Sequence, residues 1–202
     1  GVCLNIGCIP TKSLLRNAEL AHIVQHRMKE FGFNNGEGVP VDYSAAFKRS
    51  RQTSERLVKG VGFLMKKNKI DTFDGWGTIQ DKNTVSVTLN AGDTVTLNCK
   101  NLIIATGAEV NLLPGVTPSA NVITYLEAIL AETLPKSIVI VGAGPIGIEF
   151  AYVMHNYGVD VTIVEYLPHL LPLEDEEVST ELERHYKKAK IKFMTGTAMK
   201  SV

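Results

Sequence analysis

No stretch of the 202 residues stays apolar for the roughly 18 positions that a membrane-spanning helix needs. The N-terminus also lacks the basic-then-apolar pattern of a secretory signal. Charge of one sign is missing too. The 21 basic and 21 acidic residues cancel, which removes the electrostatic argument for a nucleic acid or an anionic membrane as partner. Cysteine is scarce: three residues, an odd number, do not make the disulfide framework of a small secreted protein. A cytoplasmic protein that uses one cysteine pair chemically fits better. The chain opens on Gly1 rather than Met, and directly on a motif, so we expect it to be an internal piece of a longer protein.

Apolar content of 45% is enough for one sizeable core or two small ones. The most informative stretch is Gly1-Val2-Cys3-Leu4-Asn5-Ile6-Gly7-Cys8-Ile9-Pro10-Thr11-Lys12. A bond between Cys3 and Cys8 would close a very small ring, and cross-link stabilisation grows with ring size, so its value would be chemical. Proline favours a first helical turn, which places Cys8 just before a helix N-terminus. The positive end of the helix dipole there favours a thiolate, and Lys12 adds a cation. Other readings remain open. Two nearby cysteines can be buried small hydrophobes, or half of a zinc site, although only Cys99 remains as a further thiol and no histidine lies near in sequence.

A second motif lies further on. Ser137-Ile138-Val139-Ile140-Val141 has the composition of a buried strand and runs into Gly142-Ala143-Gly144-Pro145-Ile146-Gly147, then a helix from Ile148 to Tyr157. A second strand, Val159 to Val164, ends at Glu165, 23 residues beyond the first glycine. Strand, glycine loop, helix, strand and acid together make the dinucleotide fingerprint, against the alternative of a structural βαβ unit that merely fits the pattern. Gly142 permits the tight turn, Gly144 lets the backbone reach a pyrophosphate, and Gly147 lets helix and strand pack closely. The helix N-terminus stabilises phosphate charge. Glu165 would accept from a ribose diol and repel a 2′-phosphate, which favours NAD over NADP.

Between and around these motifs the pattern is more ordinary. Leu14, Leu15, Ala18 and Ala21 predict a helix over Thr11–Lys29, stopped by Phe31-Gly32-Phe33-Asn34-Asn35-Gly36. His22 and His26 share one face of it, as a surface pair rather than a metal site. Asp42 is the expected N-cap of a helix over Tyr43–Lys67, with a stripe of Phe47, Ser50, Ser54, Leu57, Val58, Val61, Leu64 and Met65. Its basic residues carry no interleaved aromatics and form a solvated face. Ile70–Phe73 is expected to be a short strand. Gly75–Ile79, Thr84–Thr88 and Thr94–Leu97 alternate around tight turns, an antiparallel meander, with Cys99 packed at its end. Leu102-Ile103-Ile104-Ala105 has the continuous apolar run of a parallel strand buried on both faces, ending at Thr106-Gly107. Residues 113–118 form a Pro/Gly-rich boundary. A short helix around Leu126–Ala131, a loop over Leu167–Leu173, a helix over Asp175–Lys188 and a strand from Ile191 complete the chain.

The cysteine stretch resembles the redox-disulfide signature of the two-cysteine flavoprotein disulfide reductases, and within them the branch that oxidises dihydrolipoyl groups with NAD. The resemblance covers Gly1 to Val202. It implies an α/β, doubly wound Rossmann-like FAD/NAD(P)-binding fold with an antiparallel β-meander, residues 1–118 belonging to an FAD-binding domain and 119–202 to an NAD-binding domain. By resemblance, Cys3 exchanges with the substrate dithiol and Cys8 forms the thiolate next to the flavin. Lys12 and Glu149 pair beside the flavin ring, and Gly77, Thr106 and Gly107 lie near FAD. Gly142, Gly144, Pro145, Ile146, Gly147, Glu149, Glu165 and Met199 hold NAD. The family usually continues Thr-Gly with Ser and then Pro; here Ala108 and Val110 stand there, leaving Thr106 and Gly107 a backbone role. An acid/base histidine with a glutamate five residues on is expected outside this chain, supplied by a partner subunit. His169 and Glu174 share that spacing by coincidence. The implied partners are a lipoyl domain of a 2-oxo acid dehydrogenase complex and a second copy in a homodimer; neither a metal nor a membrane is implied. The alternatives are an NADP-linked glutathione or mercuric reductase, which would want basic residues where Glu165 and Tyr166 stand, and a non-catalytic nucleotide-binding module.

Overall fold

A computed structural model of the chain describes residues 1–34 and 39–201. Its C-terminal part is a parallel sheet: β4 (Ser137–Val141), β5 (Asp160–Val164) and β6 (Lys192–Met194), in that order across the sheet. The crossovers are α5 (Pro145–Asn156) and α6 (Glu176–Ala189). Ser137 stands opposite Asp160 and Val141 opposite Val164. The central β5 buries Val161 and Ile163. α5 buries Ile148, Phe150, Ala151, Val153 and Met154, too wide an arc for a surface helix. It is enclosed by the sheet and by α2 (Cys8–His26), which packs along it. α5 starts three residues before the expected Ile148, because Gly144 serves as N-cap and Pro145 suits the first turn. α6 takes Asp175 as N-cap, whose carboxylate accepts from the Glu177 amide at 2.9 Å.

The expected burial of β4 is corrected. Val139 is 62% exposed and Val141 42%, since only the Ile138–Ile140 face of β4 meets the core. An apolar run is buried on both sides only when a layer covers each.

At the N-terminus α1 (Val2–Ile6) is followed at once by α2. α2 begins at Cys8, earlier than Thr11, and ends at His26. A 3₁₀ turn over Met28–Phe31 follows, closed by Gly32 at φ +80°. Of the predicted stop, Asn35 and Gly36 lie outside the described residues. Leu14, Ala18 and Ala21 form the buried face of α2. α3 (Tyr43–Lys67) has the predicted bounds, with Asp42 accepting from the Ser44 amide at 2.8 Å. Tyr43, Ala46, Ser50 and Ser54 are buried on it.

His22 and His26 stand with ring centroids 5.2 Å apart, and no group of side chains among the described residues could hold a metal ion. Burial holds the half-buried His22 below the ordinary histidine pKa. His26, Arg27 and His155 of α5 push the same way, while a hydrogen bond to Asn156 opposes them. A histidine depressed in the folded state favours the neutral form, so its contribution to stability is present above about pH 6.5 and is lost as pH falls through the lower folded value. The expected outcome is a stability decline below pH 6.5 that His22→Gln flattens, read from urea midpoints at pH 7.5 and 5.

By packing, the chain divides into a larger unit, Val2–Glu55 with Glu109–Val202, and a smaller one, Gly1 with Arg56–Ala108. This differs from the 1–118 and 119–202 division, which rests on nucleotide chemistry, because α2 joins its core to α5. The smaller unit holds the meander as predicted: β1 (Gly75–Asp81), β2 (Thr84–Leu89) and β3 (Thr94–Asn98), antiparallel in that order. Two expected strands are absent. Ile70–Phe73 forms no ladder, and neither does Leu102–Ala105, where Ile103 is 86% and Ile104 70% exposed. A strand needs a neighbour to take its amides and carbonyls, and neither described sheet offers a free edge paired to these residues.

Candidate functional site

Cys3 lies in α1 and Cys8 is the first residue of α2, with Gly7 as N-cap between the two helices. The helices approach so closely that a Cβ on Gly7 would stand 3.0 Å from both the Cys3 Cα and the Val2 carbonyl oxygen. The buried Thr11 latches this joint: its amide and its hydroxyl both donate to the Gly7 carbonyl, at 3.1 and 2.7 Å. The Cα atoms of Cys3 and Cys8 are thereby brought to 4.6 Å and the two sulfurs are bonded, within the span a disulfide accepts. Both residues are exposed. That removes the reading of two buried hydrophobes. An exposed disulfide at a helix N-terminus is placed for thiol exchange, because the departing Cys8 thiolate meets the positive end of α2.

One turn further along α2, Lys12 Nζ donates to Glu149 Oε1 of α5. Glu149 is 25% exposed and Lys12 61%, so the pair contributes little stability. It sets a fixed charge arrangement where the N-terminal turns of two helices meet. From α3, Arg51 Nη1 donates to the Asn5 carbonyl at 2.7 Å.

The glycine loop follows its predicted chemistry at the backbone. Gly142 has φ +102°, a conformation that side chains rarely adopt, and its amide donates to the Val164 carbonyl at 2.8 Å. A Cβ on Gly147 would lie 2.2 Å from the Gly142 carbonyl oxygen and 3.2 Å from Ile140 Cγ2, so only glycine allows α5 to sit so close to β4. At Gly144 a Cβ would meet nothing within 4 Å. That open space at the N-cap is where a ligand phosphate can approach the backbone, so these residues fit a dinucleotide. Glu165 is 7% exposed. Its Oε2 accepts from the Ala143 amide at 2.6 Å and its Oε1 from the Leu167 amide at 2.7 Å. Each oxygen keeps a second acceptor position, so the carboxylate braces the glycine loop and can still receive a diol.

The family model described as pyridine nucleotide-disulphide oxidoreductase matches residues 1–202. The chain belongs to this family. It is 55% identical, over all 202 residues, to dihydrolipoyl dehydrogenase of Mycobacterium bovis, and covers 43% of that protein. Against dihydrolipoyl dehydrogenase of Corynebacterium glutamicum it is 52% identical, again with the whole chain and 43% of the relative. Among solved structures, all of this chain and 42% of the other superpose on the HOCl-induced flavoprotein disulfide reductase RclA from Escherichia coli, at a TM-score of 0.80 and 25% identity. LpdA from Mycobacterium tuberculosis matches the whole chain and 44% of its own length, at a TM-score of 0.89 and 22% identity, a likeness of fold. The chain thus spans less than half the length of the relatives it matches.

Within this family frame, the remaining predicted residues are more scattered. Pro145 and the 54% exposed Ile146 lie in the first turn of α5, beside the glycine loop. Met199 is half-buried in the extended segment after β6. In the smaller unit, Gly77 is on β1, and Thr106 and Gly107 lie in irregular backbone with Gly107 at φ +97°. His169 approaches Glu183 at 3.8 Å. Sequence reasoning missed Gly7, Thr11, Ala143 and Arg51. Thr11 four residues after Gly7 is a pattern that could have suggested the latch. Arg51 meets Asn5 across 46 residues of chain, and nothing local announces it.

Proposed function

We propose that this chain is the redox-disulfide portion of a dihydrolipoyl dehydrogenase, a cytoplasmic homodimeric flavoprotein that oxidises a protein-bound dihydrolipoyl group and reduces NAD. The observation that carries the reading is the exposed Cys3–Cys8 disulfide at the start of α2, next to the Lys12–Glu149 pair. The high identity to proteins of that name supports it. Residues 1–118 belong to the flavin domain, with Lys12, Gly77, Thr106 and Gly107 towards FAD. Residues 119–202 belong to the NAD domain, with Gly142, Gly144, Pro145, Ile146, Gly147, Glu149, Glu165 and Met199 towards NAD. Bound FAD would supply a two-electron acceptor, and NAD the final hydride acceptor.

The protein's own chemistry is thiol–disulfide exchange. A thiolate of the substrate dithiol attacks Cys3 Sγ, the Cys3–Cys8 bond breaks, and Cys8 Sγ leaves as a thiolate. The second substrate thiol then attacks the substrate sulfur of the mixed disulfide and releases Cys3. The substrate dithiol is oxidised to a disulfide, losing two electrons and two protons, and the protein disulfide is reduced. Lys12, held by Glu149, keeps a cation near the thiolate formed. Glu165 orients an adenosine ribose and rejects a 2′-phosphate.

The test is an assay of the full-length holoprotein. NADH formation from dihydrolipoamide and NAD is expected, and NADPH with oxidised glutathione is expected to give no turnover. The reverse preference would overturn the reading.

A further inference from the structure

The cysteine ring has two cations near it, and they are not equivalent. Lys12 is paired with Glu149. Arg51 makes no salt bridge among the described residues. Its Nη1 donates to the neutral Asn5 carbonyl at 2.7 Å, its Nε reaches the Ser50 hydroxyl at 3.5 Å, and Phe47 offers its ring at 6.0 Å. Its Nη2 is buried without a hydrogen-bond partner, an expensive state for a charged donor. Asn5 lies in α1, two residues after Cys3 and three before Cys8, whose Cα atoms are 4.6 Å apart. The guanidinium is therefore held within one or two helical turns of the cysteine pair. Glu55, one turn along α3, and Tyr43, two turns back, act on Arg51 through space. α4 (Tyr125–Leu130), packed against α1, carries Glu127, whose carboxylate closes on the Thr124 amide and hydroxyl.

We infer that Arg51 is a positioning residue for the redox disulfide: it fixes α1 through the Asn5 carbonyl and supplies a positive charge, held in no ion pair and only partly offset by Glu55, that favours the reduced, thiolate form of the Cys3–Cys8 pair. The inference rests on the proposed function and adds a residue to it. Arg51 touches neither sulfur. Its effect travels through the helix it holds and through its field, which at this range amounts to about one pKa unit on a thiol.

The test uses the full-length holoprotein and two variants: Arg51→Gln, which keeps an N–H donor for Asn5 but loses the charge, and Arg51→Lys, which keeps the charge. Two readouts are taken, the pH dependence of iodoacetamide alkylation of the reduced pair and its equilibrium with a glutathione redox buffer. Arg51→Gln is expected to raise the thiol pKa by about one unit and to lower the reduced-to-oxidised ratio up to tenfold, equivalent to ~30 mV. Arg51→Lys is expected to lie near the parent. Equal values for the parent and both variants overturn the role of Arg51 while leaving the proposed function standing. Equal shifts in both variants make the role one of shape rather than charge, and also overturn the inference. A parent protein in which no disulfide titrates at all overturns the proposed function instead.

Discussion

Cys8→Ser in the full-length protein is expected to reduce dihydrolipoamide-dependent NAD reduction by on the order of 10³-fold or more. The two electrons taken from the substrate must reside on a sulfur–sulfur bond, and a serine hydroxyl neither forms that bond nor leaves as a stable anion near neutral pH. The fold should tolerate the change. Cys8 is exposed at the first turn of α2, and loss of so short a ring costs about 2 kcal/mol in the chain-entropy picture. NAD binding, measured by calorimetry, should be unchanged, since Glu165 and the glycine loop are elsewhere in the sequence and touch neither cysteine. The paired measurement separates an enzyme from a nucleotide-binding module. Retained turnover in Cys8→Ser would show that the disulfide is incidental.

The second large effect is expected at Gly147. An alanine there must place its Cβ 2.2 Å from the Gly142 carbonyl oxygen and 3.2 Å from Ile140 Cγ2. The first of these atoms is backbone, and it belongs to the turn that presents Gly144 to a pyrophosphate. Overpacking of this kind costs about 1–3 kcal/mol, and a backbone clash belongs at the upper end. For a chain of this size about 3 kcal/mol corresponds to a fall in Tm of roughly 6–12 °C. NAD affinity should fall at least about tenfold as well, because α5 can relieve the clash only by moving away from β4. Gly144→Ala is the informative control. Its added Cβ meets nothing within 4 Å, so Tm should hold while NAD affinity falls. A Gly147→Ala protein with parental Tm would mean that α5 does not pack as closely as the structure shows.

What could be foreseen from sequence had a local cause. α3 has the predicted bounds because Asp42 caps it and the apolar spacing continues to Met65, with Lys66 and Lys67 in the last turn. The meander has its predicted strands because Lys82-Asn83 and Asn90-Ala91-Gly92-Asp93 turn the chain between alternating segments. The glycine loop could be read because Gly142 answers a positive φ and Gly147 a close approach to the Gly142 carbonyl, both demands set within a few residues. Leu102–Ala105 shows the limit. Its apolar run looked like a buried strand, but a strand is a relation between segments, and neither described sheet pairs with it. The uncovered face of β4 escaped notice for the same reason.

By itself, the order of residues determined the cysteine pair, the glycine fingerprint with its acid, and the period of each helix and strand, since these depend on neighbours within one or two turns of chain. Only the tertiary structure decided that Lys12 meets Glu149, that Glu165 braces the Ala143 amide, and that Arg51 grips the Asn5 carbonyl. Those contacts join residues 22 to 137 positions apart. Their geometry is set by how α2, α3, α5 and β5 pack, a property of summed apolar burial that no local pattern specifies.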